Sequence, residues 1–484
     1  MKVLFVNPGP LPHSEIFLRL EPLGLECVAE EARREGHEVR LLDLQVYGRG
    51  DYERLLAQFR PEAVGLSLNY IANVPEVLGL IALAKERLPA TFLFVGGHIA
   101  SFIPAELLAH AGGALDCVVR GEGESAIGPL LAALPGPVTG VPGVVTGAGS
   151  GPPARLVEDL DRLAPARDLT SRRRRYFMGQ LDPCASVEFS RGCPYDCAFC
   201  SAWVFYGRRY RRISPAVAAE SLARIREPSI FVVDDIAFAD PAHGMAIADE
   251  VEKRGIRKRF YVETRVDNLL RSPELFARWC RLGLRCMFLG VEALTEEDLK
   301  SFRKRTSPEK NFEALAVARK LGISVALNLI VDPEWDEGRF RAVRTWAEGV
   351  PDIVHLSVKT PYPGTEIWNT DGQRLTTRDY RLFDIQHAVL PTRLPLDRFY
   401  RELVTTQAVL STKHLGFSAL RKAALAAGGL LLRGQTNFVR MLWKFNTVYN
   451  AERRYQDHFQ DIQYFLAPPP PPGGERAGNL YVHG

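Results

Sequence analysis

The chain has 484 residues, of which 46% are hydrophobic and 24% charged, an ordinary globular balance. This length allows about three domains, and the composition excludes a wholly disordered chain, a collagen-like rod and a coiled coil. Lys and Arg number 61 against 57 Asp and Glu, and a net charge of +4 is too small to indicate a nucleic-acid partner.

The sequence predicts neither export nor a membrane span. The N-terminal MKVLFVNPGPLPH has an apolar run much shorter than the roughly 7–15 residues of a signal peptide. No stretch reaches the roughly 18 uncharged apolar residues that a spanning helix requires. Its 8 cysteines are too sparse for a disulfide framework. We therefore expect a cytoplasmic protein.

Residues 1–145 alternate short apolar strands with segments of helical periodicity. Strands are predicted at 2–6, 39–44, 63–68, 91–97 and 116–121. This alternation predicts a doubly wound, Rossmann-like parallel sheet, which binds ligands at the carboxyl ends of its strands. The candidate binding residues at those ends are Asn7, Pro8, Gly9, Leu68, Asn69, Tyr70, Gly96, Gly97, His98, Gly121, Glu122, Gly123 and Glu124.

A Gly- and Pro-rich connection is predicted at 146–185, and its arginine run at 172–175 is expected to be a solvated surface. A second strand–helix series follows at 186–375. Its strands are predicted at 186–190, 229–235, 259–265, 286–292, 324–331 and 353–359. Six such units predict a partial (β/α)6 barrel, with its chemistry at the carboxyl ends of the strands.

A helical C-terminal region is predicted at 376–466, followed by a Pro- and Gly-rich tail at 467–484 that is expected to be disordered. Within the helical region, 420–445 combines an apolar stretch with Arg421, Lys422, Arg433, Arg440 and Lys444. Such a segment could lie in a membrane interface and draw a lipid from the bilayer. The alternative is a helix packed on the barrel with a basic outer face.

Three cysteines follow the first barrel strand within RGCPYDCAFCSAW, namely Cys193, Cys197 and Cys200. Three thiolates on one loop can hold a 4Fe–4S cluster by three of its irons, which leaves the fourth iron open to another ligand. The alternative is a structural zinc site, but zinc favours paired C-x-x-C knuckles. No second pair lies nearby in the sequence.

This cysteine loop after a first barrel strand resembles that of the radical S-adenosylmethionine (SAM) enzymes. The resemblance implies that the open iron binds SAM. An electron from a donor such as flavodoxin or ferredoxin would then cleave SAM to a 5′-deoxyadenosyl radical. The positions of the family's SAM contacts imply roles for further residues. Phe199 would lie near the adenine of SAM, and Asp234 and Asp235 would hold its amino group. Glu263 and Arg265 would hold the ribose and carboxylate, and the site would be completed by Gly290, Glu292 and Asn328. The alternative for each is a solvated strand end or a barrel ion pair.

A doubly wound domain before such a barrel is similar to the cobalamin-binding radical SAM methyltransferases. The stretches 96–98 and 121–124 match that family's strand ends. A D-x-H-x-x-G motif is missing after the first strand, because His13 has no Asp two residues before it. The lower cobalt ligand is therefore not expected to be histidine. The loop 68–70 is the candidate for the lower face, and His98 is expected to pack near the corrin edge.

Further stretches up to about residue 416, among them SEIFLRLEPLGLE and DYRLFDIQHAVLPTRLPLDRFY, resemble a branch of that family that methylates hopanoid lipids. The resemblance implies methylation of C-3 in ring A through the 5′-deoxyadenosyl radical and methylcobalamin. It implies a lipid substrate, no nucleic acid and a place at the inner face of the cytoplasmic membrane. Two alternatives remain: a cobalamin radical SAM cyclase or rearrangement enzyme, and a corrinoid or nucleotide carrier with a structural metal site.

Overall fold

The computed structural model describes residues 1–11, 13–413, 417–468 and 480–481. The elements of its N-terminal part are β1 (Lys2–Asn7), α1 (Ser14–Phe17), β2 (Leu18–Arg19), α2 (Leu23–Arg34), β3 (Glu38–Asp43), α3 (Arg49–Phe59), β4 (Ala63–Ser67), α4 (Val74–Arg87), β5 (Phe92–Gly96), α5 (Pro104–His110), β6 (Cys117–Val119), α6 (Gly123–Ala133), β7 (Val144–Thr146) and β8 (Gly149–Ser150).

Seven of these strands form one sheet in the order β3-β1-β4-β5-β6-β7-β8, parallel from β3 to β6. Alternate residues of β1 face opposite sides, as the strand pleat requires. Val3 and Phe5 join the apolar cluster beneath α2 and α6, whereas Leu4 and Val6 join the cluster beneath α3 and α4. The predicted doubly wound sheet is therefore confirmed.

The second part of the chain forms the barrel. Its elements are β9 (Phe177–Met178), β10 (Cys184–Val187), β11 (Ser190–Arg191), α7 (Ala202–Phe205), β12 (Arg211–Arg212), α8 (Pro215–Arg224), β13 (Ser229–Val232), α9 (Pro241–Lys253), β14 (Arg259–Arg265), α10 (Val266–Arg271), α11 (Pro273–Leu282), β15 (Leu284–Glu292), α12 (Glu296–Ser301), α13 (Pro308–Lys320), β16 (Ser324–Val331), α14 (Glu337–Glu348), β17 (Ile353–Val358) and α15 (Glu366–Asp371). Six parallel strands lie in the order β10-β13-β14-β15-β16-β17, which confirms the partial (β/α)6 barrel.

The barrel is open on one side, because β10 and β17 are the two ends of its sheet. The segment that follows β1 covers this opening. Its strand β2 pairs antiparallel with β9, just before β10. On the other side of the gap, the ring of Phe17 lies 4.8 Å from that of His355 in β17. We call residues 13–19 the side wall; they belong by sequence to the first sheet but complete the barrel.

The connection between the two sheets is more ordered than its composition suggests. The β7–β8 hairpin extends the first sheet to Ser150. The expectation that the arginine run is a solvated surface is wrong for Arg173, whose side chain is 20% exposed. It binds Glu21 at 2.6 Å and Glu227 at 2.8 Å. Two buried carboxylates therefore draw this arginine inward, because an unpaired buried charge is costly.

The C-terminal helices are α16 (Leu396–Thr412), α17 (Phe417–Leu432), α18 (Asn437–Val448) and α19 (Ala451–Asp457). The stretch 420–445 is thus two helices, separated by a turn in which Gly434 takes a φ of +73°. Among the described residues, none of the helices is long and apolar enough to span a bilayer.

Most of the tail that the sequence predicts to be disordered, 469–479 and 482–484, lies outside the described residues. Leu480 and Tyr481 contradict that prediction, since both are buried. Tyr481 forms a bridge with Ala154, and its ring lies 6.5 Å from that of Phe205. The burial of this aromatic ring between the two domains is favourable, which explains why Tyr481 is ordered there.

Candidate functional site

A cavity of about 400 Å³ lies where the carboxyl ends of the first sheet meet the barrel. The barrel contributes Ser186, Glu188, Arg191, Phe205 and Tyr206 to its lining. From the predicted binding residues of the first sheet, the lining includes Asn7, Pro8, Gly9, Asn69, Tyr70, Gly96, Gly97, His98, Gly121, Glu122, Gly123 and Glu124. The structure therefore brings nearly all of these strand-end residues to one cavity.

Two loops of the first sheet pass very close to each other at this cavity. Gly97 has a φ of +116°, and a Cβ there would lie 2.8 Å from both the backbone oxygen of Leu68 and the side-chain oxygen of Asn69. The same Asn69 oxygen accepts the backbone N–H of His98 at 3.0 Å. Leu68 departs from the prediction, because its side chain is fully buried in the apolar cluster beneath α3 and α4. Only its backbone is available to a ligand.

Glu122 and Glu124 were expected to contact a cofactor, but the structure gives both carboxylates protein partners. Arg191, from β11 of the barrel, binds Glu122 at 2.7 Å and Glu124 at 3.0 Å. Arg211 binds Glu122 at 2.8 Å, and Arg191 also binds Glu188 at 2.9 Å. Burial alone would raise the pKa of Glu122, but the two arginines hold it below its ordinary value. These charges join the first sheet to the barrel.

His98 connects the first sheet to the cysteine loop. Its Nε2 lies 2.7 Å from the hydroxyl oxygen of Ser201, the residue after Cys200. Its ring stacks on Phe205 with centroids 4.6 Å apart, and burial lowers the pKa of His98 to about 4. A neutral imidazole held by these contacts fits the expected packing role.

The three cysteines lie between β11 and α7. Burial, with Asp235 and Cys197 nearby, raises the pKa of the Cys193 thiol to about 11. Burial, Asp235 and the two other cysteines raise the pKa of Cys200 to about 12. The Nη1 of Arg265 lies 3.3 Å from the Cys197 sulfur and brings positive charge to the loop. Metal ligation requires thiolates, which such a cation stabilises.

The number of cysteines on this loop favours a cluster over a single ion. Among the described residues, no three His, Cys, Asp or Glu side chains are placed to hold one metal ion. A four-iron cluster takes each thiolate at a different iron, so it suits three cysteines on one loop. The donor set therefore fits a 4Fe–4S cluster.

A lysine that the sequence analysis missed brings four predicted residues together. Lys304 binds Glu292 at 2.9 Å, and its Nζ lies 5.7 Å from the ring centroid of Phe199. Its backbone oxygen accepts Nη2 of Arg265 at 2.5 Å. A Cβ on Gly290 would approach its Nζ to 2.6 Å. Lys304 stands in a basic run after α12, where nothing in the sequence distinguishes it from a surface charge.

Three predicted carboxylates lie beside the cysteine loop: Asp234 is buried, Glu263 is half-buried and Asp235 is exposed. Asp234 accepts the N–H of Phe189 at 2.7 Å and the hydroxyl of Ser190 at 2.5 Å. Asp235 accepts the N–H of Gly192 at 2.8 Å. Desolvation by the surrounding protein is the main cause that raises the pKa of Asp234 to about 8, of Asp235 to about 6 and of Glu263 to about 7. The aspartates thus shape the loop that carries the cysteines.

Asn328 is not joined to this group within the part of the chain that the structure describes. Its side-chain nitrogen donates to the Ser357 hydroxyl at 2.6 Å, between β16 and β17. Asn328 therefore lies on the side of the barrel nearer to the side wall.

Two sequence families match the two halves of this site. The B12 binding domain family matches residues 14–131, and the radical SAM superfamily matches residues 187–347. A hopanoid C-3 methylase of Methylococcus capsulatus is 57% identical, and the alignment covers 100% of this chain and 95% of that one. An anaerobic magnesium-protoporphyrin IX monomethyl ester cyclase of Synechocystis is 26% identical over 85% of this chain and 86% of its own length.

Solved structures show the same fold. The radical SAM methyltransferase TsrM from Kitasatospora setae, solved with tryptophan and aza-SAM, has a TM-score of 0.61 and 19% identity, covering 78% of this chain and 77% of that one. The cobalamin-dependent SAM radical enzyme OxsB, solved with aqua-cobalamin and SAM, has a TM-score of 0.60 and 21% identity. It covers 69% of this chain, which spans only 50% of the OxsB chain.

Proposed function

Because this chain belongs to the hopanoid C-3 methylase family of cobalamin-dependent radical SAM methyltransferases, we propose that it adds a methyl group to C-3 in ring A of a hopanoid. The observation that carries this proposal is the high identity to the Methylococcus enzyme along the whole chain. The cyclase alternative is not favoured, since the cyclases align at less than half that identity. A carrier without enzymatic activity is not favoured either.

The chain uses a 4Fe–4S cluster, SAM and cobalamin. When bound, the cluster and SAM supply a 5′-deoxyadenosyl radical, and cobalamin supplies the methyl group. Cys193, Cys197 and Cys200 would hold the cluster. The buried Glu292–Lys304 pair and Arg265 would orient SAM through charge-assisted hydrogen bonds beside Phe199.

The first sheet would hold the cobalamin through the backbone of its strand-end loops. Gly97 lets the loop after β5 lie against the loop after β4, which leaves Asn69 and Tyr70 facing the cavity. Glu122 and Glu124 would act through Arg191, by fixing this sheet against the barrel. We place the domain boundaries near residues 145, 185 and 375, although the first sheet continues to Ser150 and the second begins at Cys184.

Lipid mass spectrometry tests the substrate directly. The gene is expressed in a hopanoid-producing host that lacks ring-A methylation, with the Cys197→Ala variant as the control. A hopanoid heavier by one CH₂, with the added mass on the A/B-ring fragment, is expected only with the wild type. In purified enzyme, one S-adenosylhomocysteine should form for each methylated product. Deoxyadenosine without S-adenosylhomocysteine would instead support the cyclase alternative.

The electron donor is proposed to be an acidic protein such as flavodoxin or ferredoxin. Two exposed arginines flank the cysteine loop at Asp196: Arg305 binds it at 2.7 Å and Arg208 at 3.6 Å, with side chains 64% and 56% exposed. Two cations share one carboxylate, so this face keeps a positive excess that would attract an acidic partner.

Charge reversal tests this donor surface. Arg208→Glu with Arg305→Glu should slow reduction by flavodoxin and leave reduction by dithionite unchanged. The matched control is Arg401→Glu, which lies on α16 with 70% of its side chain exposed. Equal rates with flavodoxin in the wild type and the double variant would refute the proposed surface.

We also propose that α17 and α18 rest on an anionic bilayer at the inner face of the cytoplasmic membrane. Leu432 is 92% exposed, Trp443 81% and Leu425 70%. Arg421, Arg433 and Arg440 are exposed on the same two helices or in the turn between them. Exposed apolar side chains with basic neighbours are typical of helices that lie in a membrane interface.

Vesicle flotation tests this contact. Wild-type holoenzyme should float with vesicles of phosphatidylglycerol, and the Leu432→Ser, Trp443→Ser variant should not. Phe459→Ser is the matched control, because Phe459 is 64% exposed but lies beyond α19. Equal flotation of all three proteins would contradict the proposed membrane surface.

A further inference from the structure

The inward-facing side chains of the barrel are incompletely covered on the side nearest to the side wall. Along β14 to β17, every second residue packs outward into the main apolar cluster, as Val262, Leu289 and Leu356 do. The residues between them therefore point inward. These inward side chains are only half-buried, although the strands that carry them are covered by helices; they are Tyr261, Glu263, Cys286, Phe288, Ala326, Asn328 and His355. A space thus remains inside the barrel, where larger barrels are filled by side chains.

Several aromatic rings line this lumen. The rings of Phe231 and Tyr261 meet edge to face at 5.4 Å on neighbouring strands. Phe288 points inward from β15, and Phe17 of the side wall closes the opposite side against His355. Flat apolar rings offer a fused hydrocarbon skeleton a large contact area.

Two histidines lie at the side-wall end of the lumen. His355 forms no hydrogen bond among the described residues, and the ring of Phe17 lies against it. His13 packs against Phe17 at 5.6 Å and Tyr449 at 5.7 Å, and its Nδ1 is buried without a hydrogen-bond partner in the described structure. A buried polar atom left unpaired costs free energy, so it marks a place where a ligand atom can bind.

Both imidazoles are uncharged near neutral pH. Burial and then the charge of Arg454 lower the pKa of His13 to about 3, and burial lowers that of His355 to about 4. A neutral imidazole offers one N–H donor and one acceptor nitrogen. A hydroxyl group complements that pair, since it too donates and accepts.

The reacting carbon must lie elsewhere, at the joint of the two domains. Tyr70, from the loop after β4, is close enough to Glu263 that this carboxylate contributes to raising the pKa of the tyrosine. The cysteines and Arg265 lie on the same side. Glu263 is on β14 and His355 is on β17, three strands away in the sheet. A rigid, elongated lipid with one end at Tyr70 can therefore extend across the lumen toward His355.

We propose that the lumen holds the fused rings of the substrate and that His13 and His355 bind a hydroxyl group at the end remote from the reacting carbon. This inference rests on the proposed function and adds to it a preference for hopanoids with a hydroxylated side chain. The two histidines are substrate-binding residues and take no part in the methyl transfer itself.

Competing substrates test the inference in reconstituted holoenzyme. A hopanoid with a hydroxylated side chain and one with the same rings and a purely hydrocarbon side chain are supplied in detergent micelles. The readout is the ratio of their kcat/KM values, with lipid-free deoxyadenosine formation as a measure of intact cofactor binding. His355→Phe should lower the ratio about 10-fold, the worth of roughly one hydrogen bond.

Two further variants separate recognition from folding. His355→Asn keeps a donor and an acceptor and should retain most of the preference, whereas His13→Phe should lower it. His37→Phe, at the edge of the first sheet beside the N-terminus, should leave the ratio at the wild-type value. An unchanged ratio in both Phe variants, with both lipids methylated, would overturn this inference and leave the proposed function standing. Methylation of neither lipid by the wild type would overturn the proposed function, and with it this site.

Discussion

Replacing Arg191 by methionine should weaken the joint between the two domains more than any surface change. Arg191 is 6% exposed and binds three carboxylates, Glu122, Glu124 and Glu188, whose side chains are 2%, 6% and 17% exposed. Methionine fills much of the space but supplies no charge. Glu122 keeps Arg211 at 2.8 Å, so the loss falls mainly on the other two.

The expected loss is about 3 kcal/mol of unfolding free energy, the lower end of the cost of breaking a buried ion pair from one side. The pH dependence of this loss follows from Glu124, which loses its arginine partner. Burial already raises the pKa of Glu124, and the charge of Arg191 opposes this shift. Without the cation the folded pKa of Glu124 therefore rises further above the unfolded value of about 4.3. Stability is then lost as pH rises through the folded pKa, so the deficit should be larger at about pH 8 than at about pH 5.5.

Urea unfolding of the apoprotein at both pH values measures this loss. The control is Arg33→Met, because Arg33 is 39% exposed and pairs with an Asp168 that is 65% exposed. Screening by solvent should keep its cost below about 1 kcal/mol. An Arg191→Met protein within about 1 kcal/mol of the wild type, or a deficit that grows as pH falls, would refute the assignment of Arg191 as the charge that joins the domains.

Three further changes test the site. Cys197→Ala should abolish iron loading and deoxyadenosine formation while cobalamin absorbance is retained; persistent SAM cleavage would contradict the cluster assignment. Gly97→Ala should lower cobalamin occupancy and cost roughly 1–3 kcal/mol, because its φ is +116° and its Cβ would meet the loop after β4. The control is Gly79→Ala inside α4, where a Cβ meets nothing within 4 Å; it should retain cobalamin and stabilise the helix slightly. The pKa of Asp234 is raised to about 8 in the folded protein. The wild type should therefore lose unfolding free energy as pH rises from about 4 to 8, and the Asp234→Asn variant should not show that loss.

The parts of the fold that follow from local pattern could be predicted from the sequence. Strand and helix periods are local, so both sheets were found. The spacing of Cys193, Cys197 and Cys200 is likewise local, and it indicated the cluster without any tertiary information.

Partners that meet only through the tertiary fold could not be predicted. Glu122 stands at a strand end like any ligand-binding carboxylate, and only the approach of β11 gives it Arg191, 69 positions later. Lys304 reaches Glu292 because the chain after α12 turns back at the residues on either side of it, Arg303 and Arg305, with φ values of 53° and 55°. Such turns leave no periodic signal in the sequence.

The side wall makes the two halves of this protein poor candidates for exchange. Its strand β2 pairs with β9, and Phe17 lies against His355, so seven residues encoded near the N-terminus complete a barrel that begins some 170 positions later. A barrel excised at residue 184 would expose apolar side chains along β10 and β17 to water. A chimera that joins another corrinoid domain to this barrel would therefore have to retain residues 13–19. The two domains are thus expected to be inherited as one unit.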